Sequence, residues 1–390
     1  MKIAYVYDLI YPYEIGGAQK RIWELARRLA QRGHDVTLFG MKYWEGEDII
    51  YKEGVRLWGV CTPQALFDGG RRSIKEALYF AAKIFPVLIK EKFDIVDCCE
   101  MPYLHCFPAK ICSLVNGYPL VITWHEVWDD YWFAYLGKHK GRIGKFIESM
   151  TRRLPDHIFA ISQKVRDDLI SLKVNPDKID ITYRGTDFID VKLSRIREIK
   201  FASDVVYAGR LNEHKNIDIL IKAIQLVSKK VPSVKCVIIG DGPERSTLEN
   251  LVKALNLNTN VTFLGFLESQ GDVFNYFMNS KVFVFPSTRE GFGSGIIEAN
   301  ACGLPVIGIS DKNNANTELI IEGKTGFLVN LSAKEISDKI ILLLEDDDHQ
   351  KNMSDYSIKQ SYKYDWTTIM AEIEKKYIEM ACRAKQVRHL

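Results

Sequence analysis

Pro286-Ser-Thr-Arg-Glu-Gly-Phe-Gly-Ser-Gly-Ile-Ile-Glu-Ala-Asn-Ala-Cys-Gly-Leu-Pro-Val-Ile307 is the run that decides the fold. An apolar strand leads into it and ends at Pro286. A loop holding Gly291, Gly293 and Gly295 follows, then a helix carrying Glu298, then a second apolar run from Val306. Strand, glycine loop, helix and strand make one βα unit of a parallel sheet. Glycines let the backbone approach a ligand closely and accept positive φ. A helix start just behind them offers free N–H groups and positive dipole to phosphate or sugar oxygens. Glu290 and Glu298, eight residues apart, would accept hydrogen bonds from sugar hydroxyls. Either glutamate alone reads equally well as a solvated surface acid, and a glycine turn is common. The whole string marks a site.

Outward from this run the same alternation fills the chain. In the first half, apolar runs at 2–7, 35–39, 55–60, 94–97, 119–123, 157–160 and 178–182 read as strands. Helix-period segments at 18–31, 73–90, 105–115, 142–152 and 163–172 separate them. In the first helix Ile22, Leu25, Ala26 and Leu29 share one face, with Gly33 as the stop. Residues 187–202 are mixed and charged, without clear helix or strand. A second series follows, with strands at 204–208, 235–239, 261–264, 282–285, 306–308 and 327–329. Near-continuous apolar strands between helices indicate parallel sheets covered on both faces. The fold class expected is therefore α/β, with two doubly wound Rossmann-like domains, 1–190 and 191–365. Ligands on such sheets bind beyond the strand C-termini, so two facing domains would share a cleft. A last helix, 366–382, is expected to pack back on the first domain.

Composition excludes other classes. The chain has 390 residues, 47% hydrophobic and 26% charged, which is ordinary for a folded protein. A net charge of +3 gives no overall argument for nucleic acid. No stretch reaches the ~18 uninterrupted apolar residues of a membrane span, and the N-terminus lacks signal-peptide features. The eight cysteines form no C-x-x-C pair and read as reduced core residues of a cytoplasmic chain. No His/Cys pairs have zinc spacing, so no metal site is expected.

At Glu290…Glu298, inside the frame E-G-F-G…E-A-x-A-C-G-x-P-V, the chain resembles the retaining glycosyltransferases of family 4. These have two facing Rossmann-like domains, the GT-B fold, and an E-x7-E motif. The resemblance implies that Glu290 and the amides of Phe292 and Gly293 touch the donor sugar, while Glu298 holds the ribose hydroxyls. Ser294-Gly295 replaces the bulkier apolar pair usual after E-G-F-G, which alters the floor of the sugar pocket.

Other segments fit the same frame. Gly209-Arg-Leu-Asn-Glu-His-Lys215 follows the first strand of the second domain. Arg offers a guanidinium fork and Lys a point charge to a diphosphate. Each alone is an ordinary surface cation, but the resemblance assigns Arg210 and Lys215 to the departing donor diphosphate. Gly16-Gly-Ala-Gln19 closes the loop after the first strand, and two glycines at a helix start can cradle an anion. The family sets this loop against donor phosphate and acceptor, with Gly16 and Gly17 on the donor and Gln19 on the acceptor. His125 lies just past a strand, where a lone histidine is usually structural. The resemblance implies that it donates to a sugar hydroxyl near the reacting carbon, with Glu126 beside the acceptor. Ile239-Gly-Asp-Gly242-Pro243 resembles the family's turn lining the nucleotide pocket, with Pro243 opening a helix. Phe266 and Leu267 fall where the family's backbone meets the base.

Segment 138–153 carries six Lys and Arg against one Glu, next to Trp124, Trp128, Trp132 and Tyr131. Ile143, Phe146, Ile147, Met150 and Leu154 share one helical face. This reads either as a domain helix packing its apolar stripe inward, or as a basic amphipathic helix on an anionic membrane. In the second reading Lys138, Lys140, Arg142 and Lys145 make the contact. The function expected is a retaining transferase moving a hexose-type sugar from a UDP- or GDP-sugar to an acceptor hydroxyl, on a glycan or lipid carrier. It would be cytoplasmic or peripheral on the cytoplasmic face, and would need no cofactor or metal, since the one D-x-D run, Asp346–Asp348, lies in a late polar loop. A nucleotide-sugar 2-epimerase and a non-catalytic sugar-nucleotide binding protein are the alternatives. The first would need acid and base carboxylates, and the second a degenerate polar site.

Overall fold

The computed structural model describes residues 1–68, 71–186, 191, 201, 203–311 and 314–388. The charged stretch 187–202, read above as without helix or strand, lies almost wholly outside the described residues. The chain forms two compact units, one of Met1–Tyr183 with Thr367–Leu390, the other Arg184–Trp366.

In the first unit the elements run β1 (Lys2–Val6), α1 (Gly17–Gln31), β2 (Asp35–Met41), β3 (Ile49–Lys52), β4 (Val55–Cys61), β5 (Phe67–Asp68) and β6 (Arg71–Arg72). There follow α2 (Ile74–Leu88), β7 (Ile95–Cys99), α3 (Cys106–Asn116), β8 (Leu120–Trp124), α4 (Tyr131–Thr151), β9 (His157–Ala160), α5 (Gln163–Ser171) and β10 (Ile179–Ile181). The main sheet has the order β10-β9-β8-β7-β1-β2-β4-β3. Every pairing is parallel except β3 against β4. Its middle strands β7 and β8 are buried along their whole length, as a sheet covered on both faces requires. The face of α1 named from its spacing is the one that packs, with Leu25, Ala26 and Leu29 fully buried.

The second unit runs β11 (Val205–Ala208), α6 (Ile217–Ser228), β12 (Cys236–Ile239), α7 (Arg245–Ala254), β13 (Val261–Gly265), α8 (Gln270–Met278) and β14 (Val282–Phe285). It continues with α9 (Ser294–Ala301), β15 (Val306–Ile309), β16 (Gly326–Val329), α10 (Ala333–Glu345) and α11 (Asp347–Ser361). Its sheet, β13-β12-β11-β14-β15-β16, is wholly parallel. The chain steps outward from β11 in one direction, then returns to its other side with β14. That reversal is the topological switch point, where open α/β sheets bind ligands beyond their strand ends. In the first unit the reversal falls between β1 and β7.

The last helix, α12 (Trp366–Arg388), begins on the final residue of the second unit, and the rest of it belongs to the first. Tyr377 fastens it. The ring is fully buried and stacks on Phe159 at 5.7 Å. Its hydroxyl donates to Asp97 Oδ2 at 2.5 Å, and the same carboxylate accepts from Thr123 Oγ1 at 2.8 Å.

Two local features depart from the sequence reading. The edge strand β3 was missed. It reverses into β4 through Glu53 and Gly54, both at positive φ, a two-residue hairpin too short to interrupt the apolar pattern. The helix expected at 142–152 starts eleven residues earlier, at Tyr131, and breaks at Gly137 (φ 75°, ψ 177°). Its apolar stripe points only partly inward: Ile143 is 60% and Phe146 64% exposed, while Ile147, Met150 and Leu154 are half-buried. The buried face consists of Gly141, Gly144, Glu148 and Thr151. The glycines are needed there, because a Cβ at Gly144 would come within 2.4 Å of the Trp132 ring. Glu148 serves as a buried acceptor, taking hydrogen bonds from Trp132 Nε1 at 2.6 Å and from the N–H groups of Trp128 (3.1 Å) and Asp129 (3.0 Å). Among the described residues no helix is long and apolar enough to cross a membrane.

Candidate active site

In the second unit the polar groups collect at the C-terminal ends of β11 and β14, the two strands that flank the switch point. Lys215 lies in the turn after β11, and Glu290 in the glycine loop after β14. The Lys215 ammonium closes on Glu290 Oε1, and it stands 5.2 Å from the centre of the Phe285 ring. Both side chains are about 85% buried, at 14% and 15% exposure.

The two segments are tied together by a side chain the sequence reading did not single out. Asn216 takes a left-handed conformation (φ 50°) and donates from Nδ2 to Pro286 O at 3.0 Å and Thr288 Oγ1 at 3.3 Å. The amide of Thr288 returns a bond to His214 O at 3.3 Å. The glycine loop is held from its other side by Asn314, whose Nδ2 donates to Ser287 O at 2.7 Å. The amide of Ala315 adds a bond to Glu290 O at 3.0 Å. Gly293 sits at φ 70° against Asn316, and a Cβ there would meet the Asn316 amide oxygen at 2.1 Å. Asn316 is itself fully buried, with neither polar side-chain atom hydrogen-bonded.

Glu298, on the second turn of α9, is separate from Glu290. It accepts from Gln270 Nε2 at 3.2 Å and lies 3.6 Å from the Arg184 guanidinium. Arg184 also donates to Ser294 Oγ at 2.8 Å. Ser294 is one of the two residues, with Gly295, that depart from the family frame, and its hydroxyl is what the arginine uses. Neither Arg184 nor Gln270 was legible in advance, because each reaches α9 from a distant part of the chain.

The remaining expected donor residues scatter around this centre. Arg210 is exposed at the mouth of its turn. Gly209 and Gly242 lie on adjacent loops, joined by Leu211 N–H donating to Asp241 O at 3.0 Å. Gly242 packs so close to Leu211 that a Cβ would come within 2.4 Å of its carbonyl oxygen. Phe292 is buried against Tyr364, at 6.3 Å between rings, so only its backbone is available to a ligand. Phe266 is 58% exposed, with Leu267 beside it half-buried.

In the first unit Gly16 precedes α1 in extended conformation (φ −165°), and Gly17 is its first residue. Gln19 is buried and folds back on Gly16, its amide oxygen 2.4 Å from where a Cβ would stand. It packs the loop rather than reaching outward. His125 stands one residue beyond β8, and Glu100 one residue beyond the neighbouring β7. Glu100 Oε2 accepts from His125 Nδ1 at 2.9 Å. Cys99 Sγ completes a cluster whose ligand-type atoms lie within 4.8 Å of one another. Sequence spacing hides this trio, since 25 residues separate Glu100 from His125 and the strand register joins them. Glu126 accepts from Trp128 Nε1 at 3.0 Å. Lys138, Lys140 and Arg142 are exposed along α4, whereas Lys145 is engaged by Asp129 at 2.8 Å and Asp130 at 2.6 Å.

Comparison with known proteins gives the class of the fold. A family model described as Glycosyltransferase Family 4 matches residues 15–188, and one described as Glycosyl transferases group 1 matches residues 196–360. The chain is a glycosyltransferase built on the two Rossmann-like domains of the GT-B fold. Within that class its N-terminal half is similar to family 4 and its C-terminal half to group 1. The phosphatidylinositol N-acetylglucosaminyltransferase gpi3 subunit of Schizosaccharomyces pombe is 24% identical to it over 388 residues, 98% of this chain and 81% of that one. Sucrose-phosphate synthase from Thermosynechococcus elongatus shares the fold with a TM-score of 0.80 at 19% identity, covering 98% of this chain and 99% of the other. HepE of Anabaena, solved in complex with UDP-glucose, has a TM-score of 0.73 at 20% identity, covering 97% and 100%.

Proposed function

We propose that the chain is a retaining hexosyltransferase taking its sugar from a nucleoside diphosphate donor, without a metal. The observation that carries this reading is the Lys215–Glu290 pair at the switch point of the second sheet. In the proposed reaction Glu290 and the amides of Phe292 and Gly293 hold the sugar, and Glu298 the ribose. Lys215 and Arg210 offset the charge growing on the departing diphosphate. The leaving phosphate takes the proton of the acceptor hydroxyl, which attacks from the same face. No covalent glycosyl intermediate is invoked, in contrast to the paired-acid retaining glycosidases. The HepE complex supports a uridine diphosphate sugar as the first donor to test. The test is thermal shift against UDP-, GDP- and ADP-hexoses. A ligand that binds the native state raises the melting temperature by mass action, and one base should stand out. If no nucleotide sugar shifts the transition at millimolar concentration, the donor assignment fails.

The acceptor we propose is carried on a lipid, with the enzyme peripheral on the cytoplasmic face of the membrane. The exposed Ile143 and Phe146 beside Lys138, Lys140 and Arg142 support this, as does the phosphatidylinositol named for the fission-yeast relative. Exposed apolar groups among cations are what an anionic surface attracts. Wild-type protein is expected to co-sediment with phosphatidylserine-containing vesicles. Lys138/Lys140/Arg142→Glu with Phe146→Ser should reduce the bound fraction at least fivefold. Equal sedimentation of the two proteins at all salt concentrations would sink the membrane reading and leave the transferase reading standing.

A further inference from the structure

One strand beyond the switch point of the first unit, at the ends of β7 and β8, lies a polar pair. β7 and β8 are adjacent parallel strands, with Cys99 opposite Thr123. The amide of Glu100 continues their ladder by donating to Thr123 O at 3.0 Å. This brings the first residue past β7 beside the first residue past β8. Glu100 is 2% exposed and fully engaged. Its Oε1 accepts from the backbone N–H of His125 at 2.8 Å and of Glu126 at 3.2 Å. Its Oε2 faces His125 Nδ1 at 2.9 Å, with the Cys99 thiol at 3.4 Å. Held by two backbone donors, the carboxylate cannot turn away from the imidazole.

We infer that Glu100 is a positioning residue which fixes His125 with its proton on Nδ1, so that Nε2 presents a lone pair to a sugar or acceptor hydroxyl. An ionised carboxylate can only accept, so the proton between the two groups belongs to the imidazole. The two backbone N–H groups and the ring Nδ1 that face the Glu100 oxygens favour its ionised form. The Cys99 thiol is moved well up by burial and by Glu100, which keeps it a donor. His125 Nε2 is buried and has no hydrogen-bond partner. This reverses the direction expected from resemblance: Nε2 accepts a hydroxyl hydrogen bond and does not donate one. It rests on the transferase reading only for the identity of that hydroxyl.

The test is nitrogen NMR of the full chain labelled at histidine, with His125 assigned by its loss in His125→Gln. Wild type is expected to show a protonated Nδ1 and a bare Nε2. Glu100→Gln should lose this preference and lower kcat roughly a hundredfold, the scale of losing one preorganised hydrogen-bonding group, with donor KM within threefold. Glu100→Asp, which keeps the charge, should recover most of both. A wild-type spectrum with the proton on Nε2 overturns the inference, even if no variant folds. So does wild-type kcat in Glu100→Gln, or a loss confined to KM. So does one equivalent of zinc required for activity, since the cluster would then be using Nδ1 as a ligand. The spectrum needs no turnover: a correct tautomer in a protein that transfers no sugar would retire the transferase reading and leave the pair intact.

Discussion

Lys215→Ala is expected to lower kcat roughly 10²–10³-fold, the effect of removing one preorganised group that meets developing charge. The lysine is only 14% exposed and stands against Phe285, so its field is poorly screened. In the ligand-free protein it is neutralised by Glu290. A donor diphosphate would take over that role and free Glu290 for the sugar hydroxyls. Glu290→Ala should therefore lose turnover on a comparable scale, at least tenfold, and the double variant should lose much less than the product of the two. Single-turnover rates with saturating donor, with circular dichroism to certify the fold, make the measurement. Near-normal rates in both single variants would refute the assignment. Losses that multiply would mean that the two residues act independently.

The second large effect concerns stability. Glu148→Ala is expected to destabilise the first unit by about 3–5 kcal/mol, since a buried acceptor of three hydrogen bonds is removed and its donors are left unpaired. The donors are the indole of Trp132 and the amides of Trp128 and Asp129. Burial raises the Glu148 carboxyl above its ordinary range, and those three bonds oppose the rise. A raised carboxyl favours the folded state at low pH, and this contribution falls away as pH rises through the folded value. Glu148→Gln, neutral and still an acceptor, should therefore recover part of the loss, and recover it better at pH 8 than at pH 5. Urea titration at the two pH values is the check. An alanine variant within 1 kcal/mol of wild type would mean that water replaces the carboxylate without penalty.

How much could be read beforehand follows from where the information lies. The strands around β7 and β8 were plain because a sheet covered on both faces leaves a continuous apolar signature. Glu290 and Lys215 were legible because each sits at a strand end inside a local string of glycine and charge. Glu100 was not, although the end of β7 was expected. Its partner is fixed by strand register across 25 residues, which no local pattern records. Arg184 and Gln270 converge on Glu298 for the same long-range reason. The orientation of α4 was obscured differently. Periodicity identifies the apolar face of a helix but not whether that face is inside. Here Gly141 and Gly144 let the helix approach Trp132 closely, and Glu148 binds the chain that leads into it. Ile143 and Phe146 are left outside as a result.

The fastening of α12 also bears on the order of synthesis. Asp97 receives the Tyr377 hydroxyl from a residue 280 positions later. On the ribosome, the strands of the first unit emerge early but lack this helix until residue 377 has been made. The second unit, contiguous from Arg184 to Trp366, can close while translation continues. The first unit, begun before the second, is therefore finished after it. A nascent chain arrested before Tyr377 should contain one protease-resistant unit, and that unit should be the second.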